Sequence, residues 1–403
     1  MLTTKTATIV HVTTVPFELP LFLSGQAAFI RRSGFELHAI ASPGPDLVAF
    51  GKRESVEVHG IPMTRRITPI QDLAALWRLW RVLRAIRPDV VHSHSPKGGL
   101  LGMLAAWLAR TPVRIYHIRG LPLMTATGLR RFLSRSSERV SCALAGRVLA
   151  VSHSMRNIAV EEGLCRADKI KVLVAGSGNG VDADVRFRPA AAGVKASARA
   201  ERHLPVDSVV IGFVGRICRD KGIVELAAAW RTIREREPRA RLLLAGTAES
   251  SDAVAADIVA ALRGDPRVHL AGESRDMPRL YAAMDVVALP SYREGFPNVV
   301  LEAAAMALPV VTTRVPGCVD AVADGATGTL VDARDAPALA DALSRYLADE
   351  NLREQHGRAG RERVLKTFRQ EAIWRAVVAE YEALLAAASV QRVERSAPEE
   401  PAP

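Results

Sequence analysis

The chain has 403 residues, too many for one comfortable core, and its 49% hydrophobic content is ordinary for a globular protein. The formal net charge is +11, concentrated in residues 1–190, which hold 26 Lys and Arg against 13 Asp and Glu. A basic half favours an anionic partner, but the chain has no aromatic stacking motif of a nucleic-acid module, and its longest apolar region falls short of the roughly 20 residues of a membrane span. Cys142, Cys165, Cys218 and Cys318 lie far apart without zinc-like spacing, so they read as reduced, buried thiols. The opening MLTTKTATIVHVTTVPF has no long apolar core, so no secretory leader is expected.

In chain order, ATIVHV (7–12) reads as a strand, 26–32 as a helix and ELHAIAS as a strand. A helix over 74–86 stops at Pro88. DVVHSHS (89–95) is a strand, 98–109 a helix, and VRIYHIRG and RVLAVS are further strands. Residues 189–205, small and Pro-flanked, interrupt this rhythm and read as a linker with a short helix. The rhythm restarts with SVVIGFVG, a helix over 223–237, ARLLLAG, a helix near 252–263, RVHLAG, a helix around 277–284, VVALP and PVVTT. A last helix covers 370–387, and 389–403, rich in Pro and Glu, reads as a disordered tail. Repeated βαβ units predict an α/β fold of two doubly wound, Rossmann-like domains, with a ligand cleft between them at the C-terminal strand ends.

The stretch REGFPNVVLEAAAMALPVV (293–311) holds two glutamates eight positions apart. Glu294 falls in the loop after a strand, and Glu302 just over one turn inside the following helix. The free N–H groups of a helix start bind anions such as phosphates. Two carboxylates beside such a cradle make sense as acceptors for sugar and ribose hydroxyls. Upstream, Gly215, Arg216 and Lys221 follow the strand SVVIGFV, where two fixed cations suit a diphosphate.

With GxxGRxxxxKG at 212–222 and EGFPNxxxE at 294–302, the chain resembles the retaining glycosyltransferases of family 4, which have the GT-B fold, and among them bacterial polysaccharide-assembly members. The resemblance covers about residues 7–385. It implies that Arg216 and Lys221 clamp the donor diphosphate and stabilise the leaving nucleotide, with Glu294 on the donor sugar and Glu302 on the ribose. Gly295, Phe296 and Asn298 would present backbone amides to the donor. Gly25, beside Ser24, would let the backbone approach the diphosphate. Ser24, His117 and, in HSHSPKGGLLG, His94 and Lys97 fit an acceptor-side role, and for the histidines of that motif a structural role fits equally. Many relatives have a donor-contacting histidine where this chain has Arg119; His117 lies two residues earlier, and Arg119 is expected to face the diphosphate or an acceptor phosphate.

The implied organisation is an acceptor domain over 1–188, the linker 189–205, a nucleotide-sugar domain over 206–369, a helix 370–388 crossing back to the first domain, and the tail. The implied reaction is transfer from a nucleotide sugar, most simply a UDP sugar, to a polyprenyl-diphosphate-linked or other membrane-associated glycan in surface polysaccharide (capsule or lipopolysaccharide) biosynthesis. A soluble or phospholipid acceptor, or epimerase or hydrolase activity on the same fold, are the alternatives. Neither cofactor nor metal is expected; the D-x-D of Asp182 and Asp184 lies outside the expected donor site, and Asn179 and Gly180 read as turn residues. Residues 121–133, with Arg130, Arg131 and Phe132, followed by Arg135 and Arg139, read as a basic amphipathic segment that docks on anionic lipid. The arginines of 77–87 drift around their helix and form no single face. The expected location is cytoplasmic, peripheral to the inner face of the plasma membrane.

Overall fold

Apolar strand runs alternate with helices from end to end, and they build two separate parallel sheets. The computed structural model describes residues 6–248 and 252–396, and the chain divides into unit 1, up to Asn179 and again from Gln370, and unit 2, from Gly180 to Arg369.

Unit 1 opens with β1 (Thr8–Val12), α1 (Glu18–Leu23), α2 (Gln26–Arg32), β2 (Glu36–Ala41), α3 (Pro45–Glu54) and β3 (Glu57–Gly60). It continues through α4 (Pro69–Ile86), β4 (Val90–His94), α5 (Pro96–Leu108), β5 (Val113–Ile118), α6 (Gly128–Leu144), β6 (Arg147–Ala150), α7 (His153–Glu161) and β7 (Ile170–Val172). The strands lie in the order β3-β2-β1-β4-β5-β6-β7, all parallel, so the winding reverses between β1 and β4. Central strands such as TIVHV and VVHSH are buried along their whole length, as expected for a sheet covered on both faces.

Unit 2 contains α8 (Ala192–Ala200), β8 (Val209–Val214), α9 (Ile223–Arg236), β9 (Ala240–Ala245), α10 (Ala253–Arg263), β10 (Val268–Gly272), α11 (Met277–Ala282) and β11 (Val286–Leu289). Then come α12 (Asn298–Ala305), β12 (Val310–Thr313), α13 (Cys318–Ala321), β13 (Gly328–Val331), α14 (Ala336–Ala348) and α15 (Glu350–Thr367). Its sheet runs β10-β9-β8-β11-β12-β13, with the reversal between β8 and β11. Val181 and Arg369, near the two ends of this unit, form a parallel bridge, and the Val181 N–H donates to the Phe368 carbonyl at 2.9 Å.

The chain returns to unit 1 in α16 (Gln370–Ser396). There Tyr381 is fully buried, and Glu380 pairs with Arg147 at 2.9 Å and Lys171 at 2.6 Å. The helix runs past the expected end at 388, so 389–396 are helical where a disordered tail was expected; 397–403 lie outside the described residues. Pro69 at the first turn, with Asp72 accepting from the Thr68 N–H at 3.1 Å, starts α4 five residues before the predicted helix.

The expected linker 189–205 is a bolted part of unit 2. Arg199 of α8 is buried and pairs with Asp285 at 2.5 Å, while donating to the carbonyls of Ala283, Val206 and Ser208. Lys195 reaches the same carboxylate at 2.6 Å, and so does the Val210 N–H. Small residues resembled a linker because the segment's anchoring lies in one buried arginine. Removing one partner of a buried ion pair typically costs about 3–5 kcal/mol. Asp285→Ala is therefore expected to lower the urea midpoint of unit 2 by that order of free energy. Asp285→Asn, which still accepts from the Val210 N–H, is expected to cost less.

Candidate active site

In unit 2, the β8–β11 pairing brings two loops 72 residues apart in sequence into contact. Arg293 donates twice to Asp220, at 3.0 and 2.8 Å, and the Tyr292 N–H donates to the Asp220 carbonyl at 2.9 Å. Lys221 forms an ion pair with Glu294 Oε1, which also accepts from Ser291 Oγ at 2.7 Å. Gly222 sits at φ +73°, and a Cβ there would overlap the Pro290 carbonyl oxygen, so only glycine lets the loops close this far. Tyr292 adds a hydroxyl contact to Glu225 at 2.8 Å. Arg216 is exposed just after β8, beyond Gly215, whose N–H donates to the Ala245 carbonyl at 3.0 Å. The outcome is a half-buried carboxylate and ammonium held side by side at the C-terminal ends of β8 and β11.

The second glutamate is held from behind. Glu302 Oε2 accepts from Tyr281 Oη at 2.8 Å, and Tyr281 itself is fully buried. Burial pushes the Glu302 carboxyl above the usual carboxylate range, opposed by the Tyr281 hydroxyl and by the charge of Arg186. α12 starts after Pro297, which as the N-cap residue gives it no side-chain cap. Its opening N–H groups are thus suited to an anion or to sugar oxygens. Phe296 packs its ring against Phe368, 5.4 Å between centroids, with Gly295 and Asn298 on either side of it in the chain.

In unit 1, four buried histidines and one tyrosine form a single hydrogen-bonded chain. Arg119 donates through Nε to His94 Nδ1 at 3.3 Å, and a guanidinium can only donate. His94 therefore carries its proton on Nε2, which meets His11 Nδ1 at 2.8 Å. By the same logic His11 Nε2–H points to Tyr381 Oη at 3.2 Å, and Tyr381 donates to His92 Nδ1 at 2.7 Å. His92 Nε2–H then donates to His117 Nδ1 at 3.3 Å. All four rings are thereby neutral Nε2–H tautomers, and every bond points the same way along the chain. Burial is the main reason they stay neutral: it holds His92, His94 and His117 well below the ordinary imidazole value and takes His11 down to about 3. Arg119, also stacked on Phe22 at 4.3 Å, is lowered to about 9 by burial, with Tyr381 and Glu18 opposing.

The chain matches two family models, "Glycosyl transferase 4-like domain" over residues 22–176 and "Glycosyl transferases group 1" over 208–349. Capsular polysaccharide biosynthesis glycosyltransferase CapM of Staphylococcus aureus is 34% identical over 383 residues, covering 94% of this chain and 98% of that protein. The chain belongs to the group 1 glycosyltransferases. A UDP-Gal:alpha-D-GlcNAc-diphosphoundecaprenol alpha-1,3-galactosyltransferase of Escherichia coli is 28% identical over 305 residues, 74% of this chain and 77% of the relative. Among solved structures, Anabaena HepE in complex with UDP and glucose superimposes with a TM-score of 0.79 at 19% identity, over 94% of this chain and 100% of HepE. Sucrose-phosphate synthase of Thermosynechococcus elongatus does so with 0.77 at 22%, over 94% and 100%. The fold is GT-B.

Within this glycosyltransferase several motif residues have partners in the protein itself. His94 and His117, expected on the acceptor side, are buried inside the histidine chain. Lys97 is tied to Asp72 at 2.7 Å and to the Arg66 carbonyl, so it anchors α5 to α4. Gly25, expected against a diphosphate, donates its N–H to Glu54, and a Cβ there would lie 2.7 Å from the Trp374 indole. Its φ of +73° gives the second reason for glycine. The neighbouring Ser24 carbonyl accepts from Asn179 Nδ2 at 3.1 Å, and Trp374 Nε1 donates to Asn179 Oδ1 at 2.7 Å. On α6, Arg131 and Arg135 are engaged with Glu162, and Arg130 and Phe132 are exposed.

The motifs did not identify Tyr281, Asp220 or Ser291, which orient the motif residues. Their signal was weak: each is a lone polar residue whose partner lies 3 to 73 positions away. The histidine chain has a consequence in solution. Unfolded imidazoles titrate near 6.5 and the folded ones far lower, so below pH 6.5 the unfolded state binds more protons. Stability is then lost as pH falls, by about 1.4 kcal/mol per pH unit for each such histidine. Unfolding of unit 1 followed between pH 7.5 and 5 is expected to show a steep loss below 6.5, and His92→Gln to make the slope shallower by about one proton.

Proposed function

We propose that this glycosyltransferase moves a sugar from a UDP sugar, with retention at the anomeric carbon, to a polyprenyl-diphosphate-linked glycan at a membrane surface, in the assembly of a surface polysaccharide. The observation that carries this reading is the Lys221–Glu294 pair beside the helix start that leads to Glu302. In this reading Lys221 and Arg216 hold the donor diphosphate and neutralise the charge that grows as the nucleotide departs. Glu294, whose Oε1 is taken by Lys221 and Ser291, accepts from sugar hydroxyls through Oε2. Glu302, steadied through Oε2 by Tyr281, accepts from the ribose through Oε1. Gly295, Phe296 and Asn298 offer backbone amides, and Arg119 serves a phosphate.

The bond from the anomeric carbon to the diphosphate oxygen breaks, and a bond to the acceptor oxygen forms on the same face. The acceptor hydroxyl proton passes to the departing phosphate. The side chains position and stabilise, and neither metal nor cofactor takes part. The names of the S. aureus and E. coli relatives, one for capsular polysaccharide and one for a diphosphoundecaprenol acceptor, support the acceptor class.

Among the described residues no helix is long and apolar enough to cross a membrane. The docking face in this reading lies on α6, where Leu129 and Phe132 are 71% and 65% exposed beside Arg130. α4 adds Ile70, Leu73 and Trp77, all exposed, with Arg81 stacked over Trp77 at 4.8 Å. This extends the docking face to a helix whose arginine spacing alone spoke against it. Arg131 and Arg135, shared with Glu162, contribute less than the sequence implied.

Glu302→Ala is expected to weaken UDP-sugar binding at least tenfold, matching the loss of roughly 1.5–3 kcal/mol for a charged hydrogen bond; calorimetry with a folded variant of unchanged affinity would overturn the ribose placement. NMR of the product is expected to show the donor's anomeric configuration retained. A polyprenyl-diphosphate glycan is expected to outperform soluble and phospholipid acceptors, and donor consumption without acceptor would point to a hydrolase. Phe132→Ser with Leu129→Ser is expected to cut co-sedimentation with anionic vesicles several-fold while leaving donor affinity unchanged.

A further inference from the structure

Two groups of ligating side chains among the described residues lie within reach of a single ion. One is His11, His92 and His94, whose nitrogens are spent on the histidine chain and which has the Arg119 cation 3.3 Å from His94. The other lies on β2 and the edge strand β3 of the same sheet. β2 and β3 pair in parallel with His38 opposite Glu57 and Ile40 opposite His59. A period of two then puts Glu36, His38, Glu57 and His59 on one face.

The distances among these groups are those of a metal's ligand shell. His38 Nδ1 and His59 Nε2 are 3.2 Å apart. Glu57 lies 3.6 Å from each, offering Oε2 to His38 and Oε1 to His59. A tetrahedral ion with bonds of about 2.0–2.2 Å separates its ligand atoms by roughly 3.3–3.6 Å. The nitrogen pair and each nitrogen–oxygen pair therefore lie close to the spacings of a zinc-type site, each nitrogen facing a different oxygen of Glu57, and one ligand atom from each of the three residues lies within 4.8 Å of the others.

The support behind it is equally ordered. His38 Nε2 faces Glu36 Oε1 at 3.4 Å, and Glu36 Oε2 accepts from Thr8 Oγ1 at 2.9 Å. A carboxylate on the far nitrogen leaves Nδ1 as the ligating atom and raises its basicity. His38 is buried, Glu57 exposed, and a depression of about 400 Å³ lined by Glu36, His38 and Glu57 opens beside them. Arg31 also lines it, but its guanidinium donates to the Glu54 carbonyl at 3.2 Å.

We infer that His38, His59 and Glu57 bind one divalent first-row transition ion of the Zn²⁺ class, with Glu36 orienting His38 and a fourth position open to solvent. Two imidazoles and one carboxylate suit Zn²⁺, Co²⁺, Ni²⁺ or Cu²⁺ over Mg²⁺ or Ca²⁺. The ion ties the edge strand β3 to β2 and stands apart from every residue assigned to sugar transfer.

The test uses tag-free full-length protein stripped with a chelator and titrated with Co²⁺ and then Zn²⁺. The expected result is one ion per chain, the intense visible absorption of tetrahedral Co²⁺, and a thermal shift with Zn²⁺. His59→Gln and the exposed, near-isosteric Glu57→Gln are each expected to abolish the absorption, and Glu36→Gln to weaken binding by about 10–100-fold. Far-UV circular dichroism establishes folding first, and Glu57→Gln stands in if a histidine variant fails to fold. Octahedral Co²⁺ spectra, binding that survives Glu57→Gln, or binding lost in a folded His94→Gln variant and kept in Glu57→Gln, would each overturn the assignment.

Discussion

The candidate donor site depends on how closely two loops of unit 2 can approach. β8 and β11 are neighbours only because the winding reverses between them, and that reversal is where α/β sheets open a crevice at their C-terminal ends. The loop after β8 would spread away from the loop after β11 if any side chain stood at position 222, because the Pro290 carbonyl occupies that space. Once closed, the contact is reinforced on both sides of it. Asp220 takes Arg293 and the Tyr292 N–H, and Lys221 takes Glu294. From the opposite flank Thr312 Oγ1 donates to the Leu289 carbonyl at 2.7 Å and Thr313 Oγ1 to that of Ser291. Charge gives the site its chemistry, but glycine and threonine decide whether the charges meet.

Unit 1 solves a different problem with a different device. Its sheet centre must accommodate polar side chains on strands that are buried throughout. An unpaired buried polar group costs more than a hydrogen bond returns, so a half-satisfied network would be worse than an apolar core. The one-way chain from Arg119 through His94, His11, Tyr381 and His92 to His117 avoids that by giving each inner ring one donor and one acceptor contact. The middle of that chain is Tyr381, which arrives on α16 after the whole of unit 2. The first unit's polar core is therefore finished by residues at the other end of the sequence.

That long-range completion also explains what could be read in the sequence and what could not. Most strands and most helices of both units were legible because runs such as VVIGFV and ARLLLA have one plausible fate, burial in a parallel sheet. Glu294, Glu302, Arg216 and Lys221 were legible because their spacing is a local pattern. The edge strands EVHG, IKV and GTLV were missed because they are short, and within 189–205 the short helix was legible but its anchoring was not, since Arg199 looks like any surface arginine until Asp285 is beside it. His94 and Lys97 sit in one conspicuous motif and His117 in another, and their contacts with Arg119, Asp72 and His92 could not be read from either.

Within unit 2 the charges are held with unequal firmness, and that difference bears on which pair can respond to a ligand. Asp285 and Arg199 are both nearly out of solvent, and breaking them strands a buried ion. Lys221 keeps 21% and Glu294 11% of its side-chain surface exposed, so their pair lies in a medium where two charges at contact attract by a few kcal/mol at most. A diphosphate brings more negative charge than one carboxylate and can draw the ammonium toward itself at small cost. The carboxylate released from half of its partnership is still held by Ser291, and its oxygens are then open to accept from a neutral hydroxyl. A resting pair of this kind keeps Lys221 and Glu294 in position before the ligand comes. In the proposed reading it then divides into a cation for phosphate and an anion for sugar, the division of labour a nucleotide sugar requires.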